Sequence, residues 1–74
     1  MYKIVVSKYP NGKAVAEKVI TDKRIKTVKG VAKKEYNFID SYVQQGYWVE
    51  LNKGNDFIKH YGLDVFTKKP NYLY

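Results

Sequence analysis

The sequence predicts an α+β fold: an N-terminal β-hairpin, one central amphipathic helix, then two short C-terminal strands, in a small antiparallel sheet packed on the helix. Three observations support this prediction. β-branched and aromatic residues concentrate in two stretches around Pro10-Asn11-Gly12. Apolar residues recur at helical spacing over residues 23–45, and further apolar runs follow Gly46. We therefore expect a single domain of residues 1–74, with residues 71–74 as an aromatic tail.

The hairpin is predicted over residues 2–9 and 14–20, which are rich in β-branched and aromatic side chains. Between them, Pro10 presets φ for the first turn position, and Gly12 is expected to supply the left-handed residue of a three-residue loop with a bulge. In that register one face of the hairpin is apolar, and the other is mixed. The apolar face carries Ile4, Val6, Ala14, Ala16 and Ile20. A two-residue Asn11-Gly12 turn, which would shift the register, is the alternative.

The central helix is predicted over residues 23–45, because nine apolar residues fall within an arc of about 160° at helical spacing. They are Ile25, Val28, Val31, Ala32, Tyr36, Phe38, Ile39, Tyr42 and Val43. Thr21 is expected to cap the N-terminus, and Gly46 is expected to end the helix. Residues 23–30 also fit a third strand, because three of them are poor helix formers: Thr27, Val28 and Gly30.

The C-terminal part is predicted to add strands. Residues 47–51 alternate as a strand with one apolar face, and residues 52–55 form a turn. Residues 56–61 fit either one helical turn or the return strand of a second hairpin. Residues 63–67 are predicted to form the last strand.

Composition limits the cellular setting. The chain contains no cysteine, which excludes disulfides, thiolate metal sites and thiol nucleophiles. Small secreted domains usually need disulfides, so a cytoplasmic location is expected. The abundance of Lys, Asn, Tyr and Ile is typical of AT-rich genomes, which favours a bacterial cell or a phage-infected host. The longest apolar runs are far too short to span a membrane, so no membrane partner is expected.

Catalytic chemistry has little support in the sequence. His60 is the only histidine and is expected to be a turn or surface residue. The carboxylates and His60 show no metal-ligand spacing, and no glycine-rich phosphate loop is present. We therefore predict a protein that is not an enzyme, with no catalytic residues, no metal site and no cofactor.

Positive charge dominates the N-terminal half. Fourteen Lys and Arg face seven Asp and Glu, which gives a net charge of +7. Residues 1–34 alone carry +8. Lysine acts as a point charge on phosphate, whereas arginine reads bases and phosphates through a planar fork, and Arg24 is the only arginine. The candidate contacts to nucleic acid or to an acidic partner are Lys8, Lys13, Lys23, Arg24, Lys26, Lys29, Lys33 and Lys34. A solvated face that keeps the protein soluble is the alternative.

Some aromatic side chains are not explained by the predicted core. These candidate aromatic contacts are Tyr9, Trp48, Tyr72 and Tyr74. They are suited to stacking on bases, as in single-strand binders, or to packing back on the sheet.

Two functions follow from these patterns. The first is a small basic binding module that contacts the nucleic acid backbone without reading sequence. The second is a phage- or mobile-element-type inhibitor or adaptor that docks on an acidic groove of a larger host protein, such as a nucleic-acid-handling or defence enzyme. A homodimer formed through the hairpin edge is a third, weaker expectation.

Overall fold

The fold comes from a computed structural model, which describes residues 1–62. Its elements in chain order are β1 (Tyr2–Ser7), β2 (Ala14–Val19), α1 (Val28–Lys34), α2 (Tyr36–Val43), β3 (Trp48–Lys53) and β4 (Asp56–Tyr61). The α+β class and the antiparallel sheet are confirmed, but there are two helices instead of one. The predicted strand at residues 63–67 and the aromatic tail with Tyr72 and Tyr74 lie outside the described residues.

The sheet has the strand order β2-β1-β3-β4, and every pair is antiparallel. Strands β1 and β3 are distant in sequence, yet they are the central pair, with Tyr2 opposite Lys53 and Ser7 opposite Trp48. This pairing defines two ends of the sheet. The Tyr2 end carries the β3–β4 turn, and the Ser7 end carries the β1–β2 turn.

The first hairpin has the predicted register over most of its length, with Val6 opposite Ala16 and a register shift after Val6. Beyond that shift Ala14 lies opposite Ser7 and is exposed, unlike Ile4 and Val6. The prediction for the turn is also wrong in one respect, because the left-handed residue is Asn11, with φ 61°, and not Gly12. Asparagine tolerates this conformation. Gly12 is needed for a different reason: a Cβ there would lie 2.8 Å from Cε2 of Tyr9.

Residues 21–27 form neither helix nor strand, whereas α1 begins at Val28. The helix predicted over residues 23–30 is therefore correct for 28–30 and wrong for 23–27, and the third-strand alternative is wrong. Backbone pairing continues through Ile20, whose N–H donates to the Tyr2 carbonyl at 2.9 Å. Thr21 is therefore still part of the exit from the sheet and does not cap a helix. Thr27 is the cap, because its Oγ1 accepts a hydrogen bond from the N–H of Gly30 at 3.0 Å.

The helical region breaks at Glu35, whose φ and ψ are −105° and 25°. At helical spacing Glu35 falls among the apolar residues of the predicted helix, and the structure shows how its charge is accommodated. The Glu35 side chain is 10% exposed, and its Oε2 lies 2.6 Å from Nζ of Lys18 on β2. The break therefore coincides with an ion pair that joins the helices to the sheet.

The core lies between the helices and one face of the sheet. The sheet contributes Tyr2, Ile4, Val6, Val49, Leu51 and Tyr61, and the helices contribute Val31, Ala32, Ile39 and Val43. The predicted apolar arc is confirmed, since its other members pack partly buried against this cluster. Residues 56–61 form the return strand of a second hairpin, so the helical-turn alternative is wrong.

The opposite side of the sheet is called the open face. Its register rows bring together Val5, Glu17, Glu50 and His60, with Trp48 in the next row. Among residues 1–62, both helices pack on the other side. Val15, Val19 and Phe57 are each about half exposed in strands.

Candidate functional site

The Tyr2 end of the sheet holds a cleft, called here the basic cleft, of about 410 Å³. Three lysines line it: Lys23, Lys26 and Lys53. The first two come from the connection after β2, whereas Lys53 is brought there because β3 pairs with β1. Apolar side chains complete the lining, including Ile20 and Ile25. The cleft thus combines an apolar wall with three cations from two separate parts of the chain.

The acid of the basic cleft, Asp22, is already neutralised. Its carboxylate accepts hydrogen bonds from Nε and Nη2 of Arg24 at 3.1 and 2.9 Å, and from the Arg24 backbone N–H. These hydrogen bonds lower the pKa of Asp22 to about 2. Arg24 therefore balances Asp22, and the surplus positive charge of this region belongs to the lysines.

Helix α1 continues the positive surface. Lys29, Lys33 and Lys34 are exposed, and the last two line a shallow hollow together with Arg24. Lys26 precedes the helix, so the lysines that one continuous helix over residues 23–45 would have carried are divided between a loop and a helix. Six of the eight predicted basic residues nevertheless lie on one stretch of chain, residues 21–34.

Lys8 and Lys13 do not join that group. Both are exposed, and they lie in the β1–β2 turn at the Ser7 end of the sheet. Five residue steps of about 3.3 Å separate the two ends of β1, or about 17 Å. The basic residues predicted as one surface therefore form two groups at opposite ends of the sheet.

A second concave site, the aromatic groove, lies at the Ser7 end and has a volume of about 350 Å³. Its lining includes Lys8, Tyr9, Pro10, Tyr47, Trp48 and His60. The rings of Trp48 and His60 stack, with centroids 3.7 Å apart and planes 9° apart. Nε1 of Trp48 also donates to Oε2 of Glu50 at 3.2 Å. The structure thus brings together Tyr9 and Trp48, two of the predicted aromatic contacts.

Tyr9 is 62% exposed but its backbone is well held. The Tyr9 carbonyl accepts hydrogen bonds from Oγ of Ser7 at 2.9 Å and from the Gly12 N–H at 3.0 Å. The ring lies against the backbone of Gly12. An exposed aromatic side chain whose backbone is fixed in this way loses little conformational entropy when a flat partner binds.

His60 is uncharged near neutral pH in this arrangement. Partial burial lowers its pKa below the ordinary value of 6.5, and the carboxylate of Glu50 opposes that shift. Glu50 lies directly opposite His60 in the β3–β4 pair. The imidazole therefore acts in the groove as a flat aromatic surface.

Sequence reasoning missed Lys53 and the ring stack of His60. Neither feature can be found from the local sequence. Lys53 joins the basic cleft through the pairing of β1 with β3. His60 contacts Trp48 only because residues 56–61 form a strand. Choosing the strand over the helical turn for that segment would have placed His60 in a hairpin with Trp48, but the register of the hairpin was also needed.

Within residues 1–62, no group of three or more His, Cys, Asp or Glu side chains is arranged to hold a metal ion. In the same part of the chain, no helix has the length and hydropathy needed to cross a membrane. No family model matches the chain, and neither curated proteins nor solved structures show a significant match to it.

Proposed function

We propose that this protein is a small basic binding module that contacts the backbone of nucleic acid, without reading sequence, through the basic cleft and α1. One observation carries the proposal. Lys23 and Lys26 meet Lys53 in one cleft, although more than 25 residues separate them in the chain. This convergence of cations from separate elements favours a binding site for a polyanion over the alternative, a surface that only keeps the protein soluble.

The chemistry of these side chains favours phosphate over base edges. Lysine is a compact charge without a planar fork, and the guanidinium of Arg24 is already bound to Asp22. Phosphate contacts position a protein on nucleic acid but carry no sequence information. Non-specific electrostatic binding is the expected result.

Salt dependence tests the proposal. Each phosphate contact contributes about 0.9 on a duplex, or about 0.7 on a single strand, to the slope of log K against log salt. Removing two contacts with Lys26→Gln/Lys53→Gln should reduce the slope by about 1.8 on a duplex or about 1.4 on a single strand, and weaken binding at least tenfold at low salt. Fluorescence anisotropy of a labelled oligonucleotide over a salt series measures both quantities.

The matched control is Lys3→Gln/Lys59→Gln, which lowers the net charge equally by changing lysines on sheet strands. We expect this variant to keep most of the affinity and slope. Equal losses in the two double variants would show a general charge effect and no interface. Undetectable binding at low salt, or binding that salt does not weaken, would contradict the proposal outright.

The open face supports a second candidate function, the inhibitor or adaptor that docks on another protein. Exposed apolar side chains in strands, such as Val15, Val19 and Phe57, are typical of protein contact surfaces. The exposed lysines of α1 and of the β1–β2 turn would then meet the acidic groove of the partner. Loss of partner binding in Val19→Lys, with oligonucleotide binding unchanged, would favour this second function.

A further inference from the structure

The aromatic groove is separate from the lysines that carry the proposed backbone contacts. It lies at the Ser7 end of the sheet, whereas the basic cleft lies at the Tyr2 end. The stack on His60 and the hydrogen bond to Glu50 orient Trp48. Gly12 leaves room for the ring of Tyr9. The groove is thus a built aromatic surface that those contacts leave unused.

The charges at the groove select an anionic occupant. Lys8 lines it, and Lys13 is exposed in the same turn. Glu50, the nearby acid, is engaged by Nε1 of Trp48. The rings of the groove favour a flat apolar group, and the lysines favour phosphates attached to it. A nucleobase on its strand provides both.

We infer that the aromatic groove stacks an unpaired base, so that the nucleic acid of the proposed function is single-stranded. In a duplex the bases already stack on one another, and a base enters a groove only after unpairing. An unpaired strand offers its bases at no such cost. The inference rests on the proposed function and names its substrate class.

Trp48 provides a direct test, because it is the only tryptophan in the chain. Three probes are compared at pH 7.5: oligothymidylate of roughly 12 nucleotides, a duplex of the same length, and inorganic polyphosphate. All three are anions, but only the first offers unpaired bases. We expect oligothymidylate to quench Trp48 fluorescence, and the duplex and polyphosphate to bind without quenching it.

Substitutions locate the effect. Tyr9→Ala should weaken oligothymidylate binding roughly five- to a hundredfold, the range found for removing one stacking side chain. Duplex binding should change less than twofold, and Tyr9→Phe should keep the wild-type affinity for both probes. The control is Ile58→Ala, which shortens an exposed apolar side chain of β4 that lines neither the aromatic groove nor the basic cleft. It should leave oligothymidylate binding within twofold of the wild type.

Four results would overturn the inference. Binding of oligothymidylate without quenching would show that no base stacks in the groove, but it would leave the proposed backbone contacts intact. Equal losses in Tyr9→Ala and Ile58→Ala would show that the contact is not made in the groove. Quenching by an oligoproline peptide and not by oligothymidylate would assign the groove to a proline-rich segment. Failure of all three anions to bind would overturn the proposed function together with the inference.

Discussion

At the scale of single residues, Glu35 shows how a charge is tolerated inside an apolar pattern. It is nearly buried at the junction of α1 and α2, and its partner Lys18 is about half exposed. A buried carboxylate is stable only when a cation or hydrogen-bond donors accompany it. The ion pair therefore links the helix junction to the edge strand β2.

We expect Glu35→Gln to lower the free energy of unfolding by about 1 kcal/mol, because a charge-assisted contact becomes a neutral one. Urea denaturation measures the change. The matched control is Glu17→Gln, which affects the exposed pair with Lys3 at 3.7 Å and should cost under about 0.5 kcal/mol. Equal effects of the two substitutions would contradict the structural role given to Glu35.

His60 gives a pH dependence whose sign follows from its environment. Its pKa is lowered in the folded protein, mainly by burial. Between that lowered pKa and the ordinary 6.5, the unfolded chain binds the proton more readily, so stability falls as the pH falls. The full contribution of the neutral imidazole is present above pH 6.5.

We therefore expect the thermal unfolding midpoint to fall more between pH 7.5 and 5 in the wild type than in His60→Phe. The phenylalanine keeps an aromatic ring against Trp48 but does not titrate. Circular dichroism at a series of pH values measures both midpoints. Parallel curves for the two proteins would show that His60 does not contribute.

At the scale of elements, the start of α1 depends on one side chain. Thr27→Ala removes the acceptor for the Gly30 N–H and should cost about 1 kcal/mol. Thr21→Ala is the control, because Thr21 lies at the exit from the sheet and should cost little. Urea denaturation of both variants measures the difference, and a larger cost for Thr21→Ala would mean that the helix begins earlier than described.

Local sequence predicted which elements form more accurately than it predicted where each element begins and ends. Alternation of side chains placed Ile4 and Val6 towards the core, and the helical arc placed Val31 and Ile39 there. Both patterns report only which side of an element is apolar. They could not choose between Thr21 and Thr27 as the cap, because that choice depends on how far the β1–β2 pairing extends along the chain.

At the scale of the whole molecule, the positive charge is unevenly distributed. Lysines gather at the Tyr2 end and on α1, and a smaller group occupies the Ser7 end beside the aromatic groove. The sequence located the excess before Glu35 but could not divide it between these two places. The predicted homodimer and cytoplasmic location stay predictions.

The α+β class, the first hairpin and the apolar faces were predictable because they follow from local periodicity and turn chemistry. It took the folded structure to show that β1 pairs with β3, that Lys53 joins Lys23 and Lys26, and that His60 stacks on Trp48. The physical reason is that a pattern of apolar residues fixes which side of a strand is buried. Which strands lie next to that strand in the sheet is instead fixed by the packing of the whole chain.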